Sequence, residues 1–475
     1  MLSDYLRYER GLVGTKVVCA EGDCGACSVL RLRPMASSKN LPQAARNIYL
    51  PINSCITTVA QMDGSSLVTV EALASQTAGL TPVQQAMVSS HGSQCGFCTP
   101  GFVMALTGLV EKKLCDGVKK GARCTPREAK NCLTGNLCRC TGYQPIIDAA
   151  VAIDLSKCAS VKDQFYSLAQ ERELKKVLKD PVKFQNEHFS FFAPTTLKDA
   201  AAFLRRQPDA RLIGAATDLG VVHNKGKIRL SKLLSLHLIP ELYDVKKLSP
   251  TRMTVGSRVT LSELRHFLKD KIPEFAKFLD LFASPQIKNL ATLSGNVSNG
   301  SPIADTPPFL LIAQATIIVA GPRGKRSIPI EKFYLGYRKT ALKPGEFISA
   351  IEFDLPKKTE SLALYKVSQR KDLDISGVNA AFRITWSDAK KTKIREVRIA
   401  LGGVGPTTLR LPRTEAALKG LTLKSDPNSM RLNEVVEILH SEMQPLSDLR
   451  GTSAFRRVLV ENLFLKFFRE QGVLQ

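Results

Sequence analysis

At 475 residues with 44% hydrophobic content, the chain is long enough for about three or four globular domains, and no stretch reads as a membrane span. Lys and Arg number 67 against 43 Asp and Glu, a formal charge of +24, a balance that would suit nucleic acid or an anionic surface. The excess is dispersed, through LKKVLK, Lys225 to Arg229 and KKTKIR, without aromatic interleaving to stack bases, so nucleic-acid binding is disfavoured and an acidic partner subunit, or a proteome of generally high pI, is the blander account.

The amino terminus, MLSDYLRYERG, carries charges where a secretory signal needs an apolar core, so a disulfide framework is disfavoured and a cytoplasmic location is expected. Cys19-x4-Cys24-x2-Cys27 follows, with Cys55 further on. This is the spacing of a plant-type [2Fe–2S] ferredoxin, in which one loop supplies three thiolates and the fourth comes from elsewhere. Glu21, Gly22, Asp23, Gly25 and Ala26 separate the ligands with small or polar residues, letting backbone amides reach the sulfurs. A second quartet is Cys95-x2-Cys98 in QCGFCTPGF and Cys138-x-Cys140 in GNLCRCTGYQP. Structural zinc, buried thiols and disulfides are the rivals, and the C-x-C pair is too tight for the usual zinc knuckle. Two iron–sulfur clusters are the better reading of the eight thiols. Cys115, Cys124, Cys132 and Cys158 have no partner spacing and read as incidental thiols.

Thr99 and Pro100 read as N-cap and first residue of a helix with Phe102, Val103, Leu106, Leu109 and Val110 on its apolar face. Another helix resumes at Pro145, with Ile146, Ile147, Ala150 and Val151 inward. The Lys-rich stretch from Asp163 to Lys183 reads as a helical or extended linker. Beyond it, LIGAAT, RMTVGSRVT, ATIIVAG and EFISAIEFDLP read as strands, and Leu197 to Arg205 and Leu261 to Phe267 as helices. The overall class is multidomain α+β, without internal repeats. Gly214-Ala215-Ala216-Thr217-Asp218, Thr292-Leu293-Ser294-Gly295-Asn296 and the Gly300 to Asp305 stretch are rich in small residues. They are suited to cradling a pyrophosphate, although such clusters are commonly plain turns. No G-x-G-x-x-G follows a strand, so a Rossmann site is not supported. The six histidines lack metal-ligand spacing, and no nucleophile–base arrangement stands out, so no catalytic side chain is assigned.

CAEGDCGACSVL, NSCITTV, QCGFCTPGFVMAL, LTGNLCRCTGYQPI, ATLSGNVSNGSPIAD, FYLGYRKTALKPGE, YKVSQRKDLDIS and LSDLRGTSAFRR together resemble the small iron–sulfur and flavin subunit of bacterial xanthine dehydrogenases, within the molybdenum hydroxylase family. The resemblance covers nearly the whole chain. It implies a plant-type ferredoxin (β-grasp) domain at 1–75, a helical [2Fe–2S]-binding domain at 76–158 and a linker at 159–185. An FAD-binding domain of the vanillyl-alcohol-oxidase type at 186–358 and a C-terminal domain of the CO dehydrogenase flavoprotein type at 359–475 follow. It implies a relay: a molybdenum cofactor on a larger partner subunit oxidises hypoxanthine or xanthine to urate, and electrons pass through both clusters to FAD and then NAD. The assembly would be a heterodimer or heterotetramer. On the flavin the resemblance places Leu212, Ile213, Gly214, Ala215, Ala216, Thr217, Asp218 and Leu219, then Phe282, Thr292, Leu293, Ser294, Gly295, Asn296, Asp305, Ile348 and Lys366. Asp374 falls near the nicotinamide entry. Two departures accompany it. The family's ferredoxin domain begins with a hairpin before the helix matching LSDYLRYERG, so the sheet here is expected to lack two strands or the true start to lie upstream. Ala215 stands where Gly is usual, and its methyl is expected to hinder a phosphate. The alternatives are the equivalent subunit of another molybdenum hydroxylase, acting on an aldehyde or N-heterocycle, or a cluster-bearing redox sensor or nucleic-acid-binding protein.

Overall fold

The computed structural model describes residues 1–34, 48–74, 79–370, 373–422 and 428–471, which form two compact units. The first holds Met1–Asp244, Arg258–Glu263 and Ala283–Thr292, and the second Val245–Ser257, Leu264–Phe282 and Leu293–Gln475.

The first unit begins with helix Leu2–Asp4, which widens into a π turn over Tyr5–Glu9. Its first sheet has three described strands, β1 (Ser28–Leu32), β2 (Leu50–Asn53) and β3 (Ser66–Val68), with β1 central and antiparallel to both neighbours. Leu30 and Leu32 on one face of β1 are fully buried against Phe102, Leu106 and Val110 of helix Thr99–Cys115, so the sheet and the helical bundle share one core. Helices Pro82–Ser89, Pro126–Cys132 and Gln144–Ala152 complete the bundle. Pro82 and Pro126 follow Thr81 and Thr125, whose side chains close capping boxes with Gln84 and Glu128, satisfying first-turn amides.

The stretch expected as a linker carries helices Val161–Phe165 and Leu168–Val177. Its end is not linker: β4 (Val182–Gln185) pairs antiparallel with β5 (Ser190–Ala193). β6 (Arg211–Ile213) and β7 (Lys232–Ser235) complete a sheet of order β4-β5-β7-β6, and both pairs that β7 makes are parallel. Helix Leu197–Arg206 supplies the crossover between β5 and β6, as parallel strands require.

In the second unit, β8 (Val245–Ser249), β9 (Arg252–Gly256), β10 (Thr316–Gly321) and β11 (Gly324–Pro329) join a later strand in one antiparallel sheet. A short hairpin follows, β12 (Tyr334–Gly336) with β13 (Lys339–Thr340), and β14 (Phe347–Asp354) then fills the sheet's centre, giving the order β11-β10-β14-β9-β8. A further antiparallel sheet runs β15 (Glu360–Val367), β16 (Val378–Trp386), β17 (Ile394–Gly402) and β18 (Leu409–Arg410). Every residue of β16 is buried, because both its faces are covered. Val378, Ala380, Phe382, Ile384 and Trp386 pack with Phe464, Phe467 and Phe468 of helix Ser453–Glu470. The alternate residues Asn379 and Arg383 turn instead to the 303–312 segment, donating to the carbonyls of Ala304 and Ile312, as the two-residue period of a strand demands. No described helix is long and apolar enough to cross a membrane.

Candidate cofactor sites

The loop from Cys19 to Cys27 turns on Ala20 (φ 54°), Gly22 (φ 81°) and Gly25 (φ 67°). A Cβ at Gly25 would collide with the carbonyl of Gly135 and the amide of Asn136, so only glycine permits this approach at a positive φ. Cys55 enters from the short turn Ser54–Ile56 directly after β2. The structure brings the four thiols together. Hydrogen bonds from Cys24 and Cys55 lower the pKa of Cys19, and one from Cys55 lowers that of Cys27. Cys24 and Cys55 are correspondingly raised, each by sharing a proton with a neighbouring thiol. Backbone and side-chain donors reach the sulfurs from outside, Glu21 N to Cys19 Sγ at 3.4 Å and Asn53 Nδ2 to Cys27 Sγ at 3.8 Å.

The second quartet also assembles. Cys98 occupies the cap of helix Thr99–Cys115, one residue earlier than expected, and Thr99 is its first helical residue. Cys138 and Cys140 precede helix Gln144–Ala152, held by Tyr143 in the left-handed region (φ 71°), whose hydroxyl accepts from Cys138 N at 3.1 Å. Burial, with Cys138 alongside, pushes the Cys98 thiol up to about 12. Burial also acts to raise Cys138, but the hydroxyl and amide of Thr141, 3.2 and 3.5 Å from Sγ, outweigh it and lower that thiol. Cys140 is raised by its hydrogen bond with Cys95, and both of these thiols are exposed. Among the described residues no three His, Cys, Asp or Glu side chains converge on one metal ion. Quartets in which two irons take two thiolates each spread their sulfurs more widely. The two thiol loops touch, since Leu137 N donates to Cys24 O at 3.0 Å. Asn136 is held between them by Gln286 Nε2 at 2.8 Å.

The remaining expected site residues fall in both units. In the first, β6 runs into Gly214, Ala215, Ala216 (φ 60°), Thr217 and Asp218 before helix Leu219–Asn224. A Cβ at Gly214 would have only Thr292 Oγ1, 4.0 Å away, near it, leaving the backbone open on that side. Ala215 is the residue whose methyl was expected to hinder a phosphate. This residue packs into the apolar cluster of Leu2, Leu6, Ile52 and Leu290, so hydrophobic burial occupies its methyl.

In the second unit, Leu293 to Asn296 begin helix Leu293–Ser298 rather than forming a plain turn, and this helix packs on β14, which carries buried Ile348. Ser294 Oγ is buried without a hydrogen-bond partner. Asn296 Oδ1 caps the following turn by accepting from Thr306 N and Oγ1, at 3.3 and 2.6 Å. Asp305 is the hub. It accepts from Lys366 Nζ at 2.7 Å, Ser376 Oγ at 2.5 Å and Asn379 Nδ2 at 3.0 Å. The β15–β16 register sets Lys366 opposite Asn379, so both reach the same carboxylate. Lys366 also lies over the ring of Phe282, 5.9 Å from its centroid. Asp374 stands apart from this hub in its bonding, accepting from Arg370 N at 2.8 Å. Ser376 and Asn379 were not anticipated as site residues. Their only signal is their position just beyond RKDLD, because nothing in local spacing announces a contact to Asp305.

Three family descriptions match the chain: a [2Fe-2S] binding domain over residues 69–151, an FAD binding domain in molybdopterin dehydrogenase over 187–357, and a CO dehydrogenase flavoprotein C-terminal domain over 363–471. Xanthine dehydrogenase 1 of Arabidopsis thaliana is 29% identical over 98% of this chain and 38% of its own length. Aldehyde oxidase 2 of Mus musculus is also 29% identical, over 98% of this chain and 37% of its own. The chain therefore spans less than two fifths of these relatives. Among solved structures, reconstituted CO dehydrogenase from Oligotropha carboxidovorans is 25% identical with a TM-score of 0.54, over 59% of this chain and 96% of that one.

Proposed function

We propose that this chain, an oxidoreductase of the molybdenum hydroxylase family by its iron–sulfur and FAD-binding domains, is the electron-relay subunit of a xanthine dehydrogenase. Two [2Fe–2S] clusters would supply one-electron steps, and FAD the conversion of those steps to hydride transfer onto NAD. The observation that carries the proposal is the assembly of two thiol quartets whose loops are hydrogen-bonded through Leu137 N and Cys24 O.

Cys19, Cys24, Cys27 and Cys55 would hold one cluster, and Cys95, Cys98, Cys138 and Cys140 the other. Donors from Glu21, Asn53 and Thr141 stabilise negative charge on the sulfurs, the outer-shell means by which a protein sets a cluster's potential. The open backbone at Gly214 to Asp218 and at Thr292 would receive the pyrophosphate. Of the second unit, the resemblance assigns Phe282, Leu293, Ser294, Gly295, Asn296, Asp305, Ile348 and Lys366 to FAD, and Ser294 Oγ is buried there without a hydrogen-bond partner. Lys366 and Asp305 orient one another there, and Asp374 would lie near the nicotinamide. No side chain of this chain is required as acid or base.

Purine oxidation would belong to a molybdopterin-binding partner subunit, and a division of the chain at 1–75, 76–158, 186–358 and 359–475 is part of this reading, with the linker ending before β4 begins at Val182. The mouse aldehyde oxidase, matched over nearly the same share of both chains as the xanthine dehydrogenase, supports a second reading in which the partner oxidises an aldehyde. Iron and flavin analysis with a visible spectrum of the anaerobically purified chain, before and after NADH, tests the relay. About four irons and one FAD, bleached by NADH, are expected; iron without flavin would sink the dehydrogenase reading. Assay of the complex with xanthine and with aldehydes separates the two substrates.

A further inference from the structure

Arg456 lies on helix Ser453–Glu470, about 150 positions beyond Asp305 in the chain, and its residue is 2% exposed. Its guanidinium donates to three groups. Nη1 donates to the carbonyls of Gly377 and, at 3.0 Å, Gly403, while Nη2 donates to Asp448 Oδ1 at 2.7 Å. Gly377 lies between two of the three residues that hold Asp305, namely Ser376 and, one beyond Val378, Asn379. Gly403 closes the same knot: a Cβ there would collide with Gly377 O, at a φ of +83°. Its amide donates to Pro302 O at 2.9 Å, three residues before Asp305. Arg456 thus grips, through two carbonyls, the segment that carries Ser376 and Asn379 and the one that is bonded to Pro302 just ahead of Asp305.

We infer that Arg456 is a positioning residue for the flavin half-site of the second unit, holding the 376–379 and 402–403 segments so that Ser376 and Asn379 present Asp305 in one orientation. The inference rests on the assignment of Asp305 to the flavin. Its physical basis is the fork of the guanidinium, which serves two carbonyls and a carboxylate at once from a fixed plane, as a lysine ammonium on a flexible stem does not. A carboxylate with three donors in place has one rotamer. Releasing Gly377 frees the start of β16, and Asp305 is the first polar group to feel it.

The test titrates FAD into flavin-stripped full-length chain, following quenching of flavin fluorescence, for wild type, Arg456→Gln, Arg456→Lys, Asp448→Asn and Asp305→Ala. Fluorescence of Trp386, the single tryptophan, buried in β16, reports independently that the second unit is folded. Arg456→Gln is expected to weaken FAD binding by about tenfold with the Trp386 signal native, Arg456→Lys to recover part of this, and Asp448→Asn to weaken it by about threefold. If Arg456→Gln does not fold, Asp448→Asn carries the test, because Asp448 is half-exposed and anchors only the outer nitrogen. Loss of FAD binding in Asp305→Ala with wild-type affinity in Arg456→Gln and Asp448→Asn would overturn the positioning role alone. Wild-type affinity in Asp305→Ala would overturn the flavin assignment of Asp305 and the inference with it.

Discussion

Replacing Lys366 by Met removes one partner of a buried ion pair while keeping the length of the apolar stem. The side chains of Lys366 and Asp305 are 2% and 8% exposed, with nitrogen and oxygen 2.7 Å apart. At an effective dielectric constant of about 20 the direct attraction is on the order of 6 kcal/mol, much of which offsets the desolvation of the two groups. Breaking one such pair typically costs about 3–5 kcal/mol. Ser376 and Asn379 remain on Asp305, so Lys366→Met should fall at the low end, about 3 kcal/mol. Asp305→Asn should cost a similar amount by leaving the ammonium buried beside a neutral amide. The double variant removes both charges and should be milder than the sum of the singles, with about 2 kcal/mol of coupling. Urea unfolding followed by Trp386 fluorescence reads this in the second unit, as a shift of midpoint at constant slope. Strictly additive losses in the double variant would refute the reasoning, because they would mean that the two groups do not depend on each other.

Burial in the first unit holds the His237 imidazole down at about 4, against an opposing hydrogen bond to Asp63 and with repulsion from Arg33 and Arg258. The unfolded chain then binds the proton first as pH falls, so the group's contribution is complete above about pH 6.5 and about 3 kcal/mol is lost by pH 4. Calorimetry across that range should show a shallower decline for His237→Gln, and identical slopes would count against it. Gly25→Ala places a methyl on the Gly135 carbonyl at a φ of +67°, and should lower bound iron from about four atoms towards two or fewer, measured by iron analysis of protein that elutes as the wild type does. Glu111, 1% exposed, accepts from Val161 N, Lys162 N and Ser160 Oγ. Glu111→Ala should therefore destabilise the first unit by about 2–4 kcal/mol through orphaned donors, with retained thermal stability as the contrary result.

The grouping of the thiols was legible because cysteines that share a loop are close in sequence. Cys19, Cys24 and Cys27 lie on one turn whose glycines declare its conformation, and Cys95 with Cys98, or Cys138 with Cys140, are local pairs of the same kind. Strand and helix periods likewise announced β9, β10 and β14, and the helix after Cys98, since alternation and capping are properties of a few consecutive residues. Val182–Gln185 escaped notice as a strand because its four residues are mostly exposed at a sheet edge, where burial leaves no alternation to read.

What the sequence by itself determined was therefore the identity of the groups: eight thiols in two sets, their chain order ahead of a flavin-type segment, and the family they resemble. Only the tertiary structure decided which distant groups meet. The packing of Ala215 against Leu290, the bond from Gln286 to Asn136, and the convergence of Lys366, Ser376 and Asn379 on Asp305 under the hold of Arg456 are contacts across tens to hundreds of residues. Strand register and helix docking set such contacts. Both are fixed by the burial of whole faces, a property that no short run of residues contains.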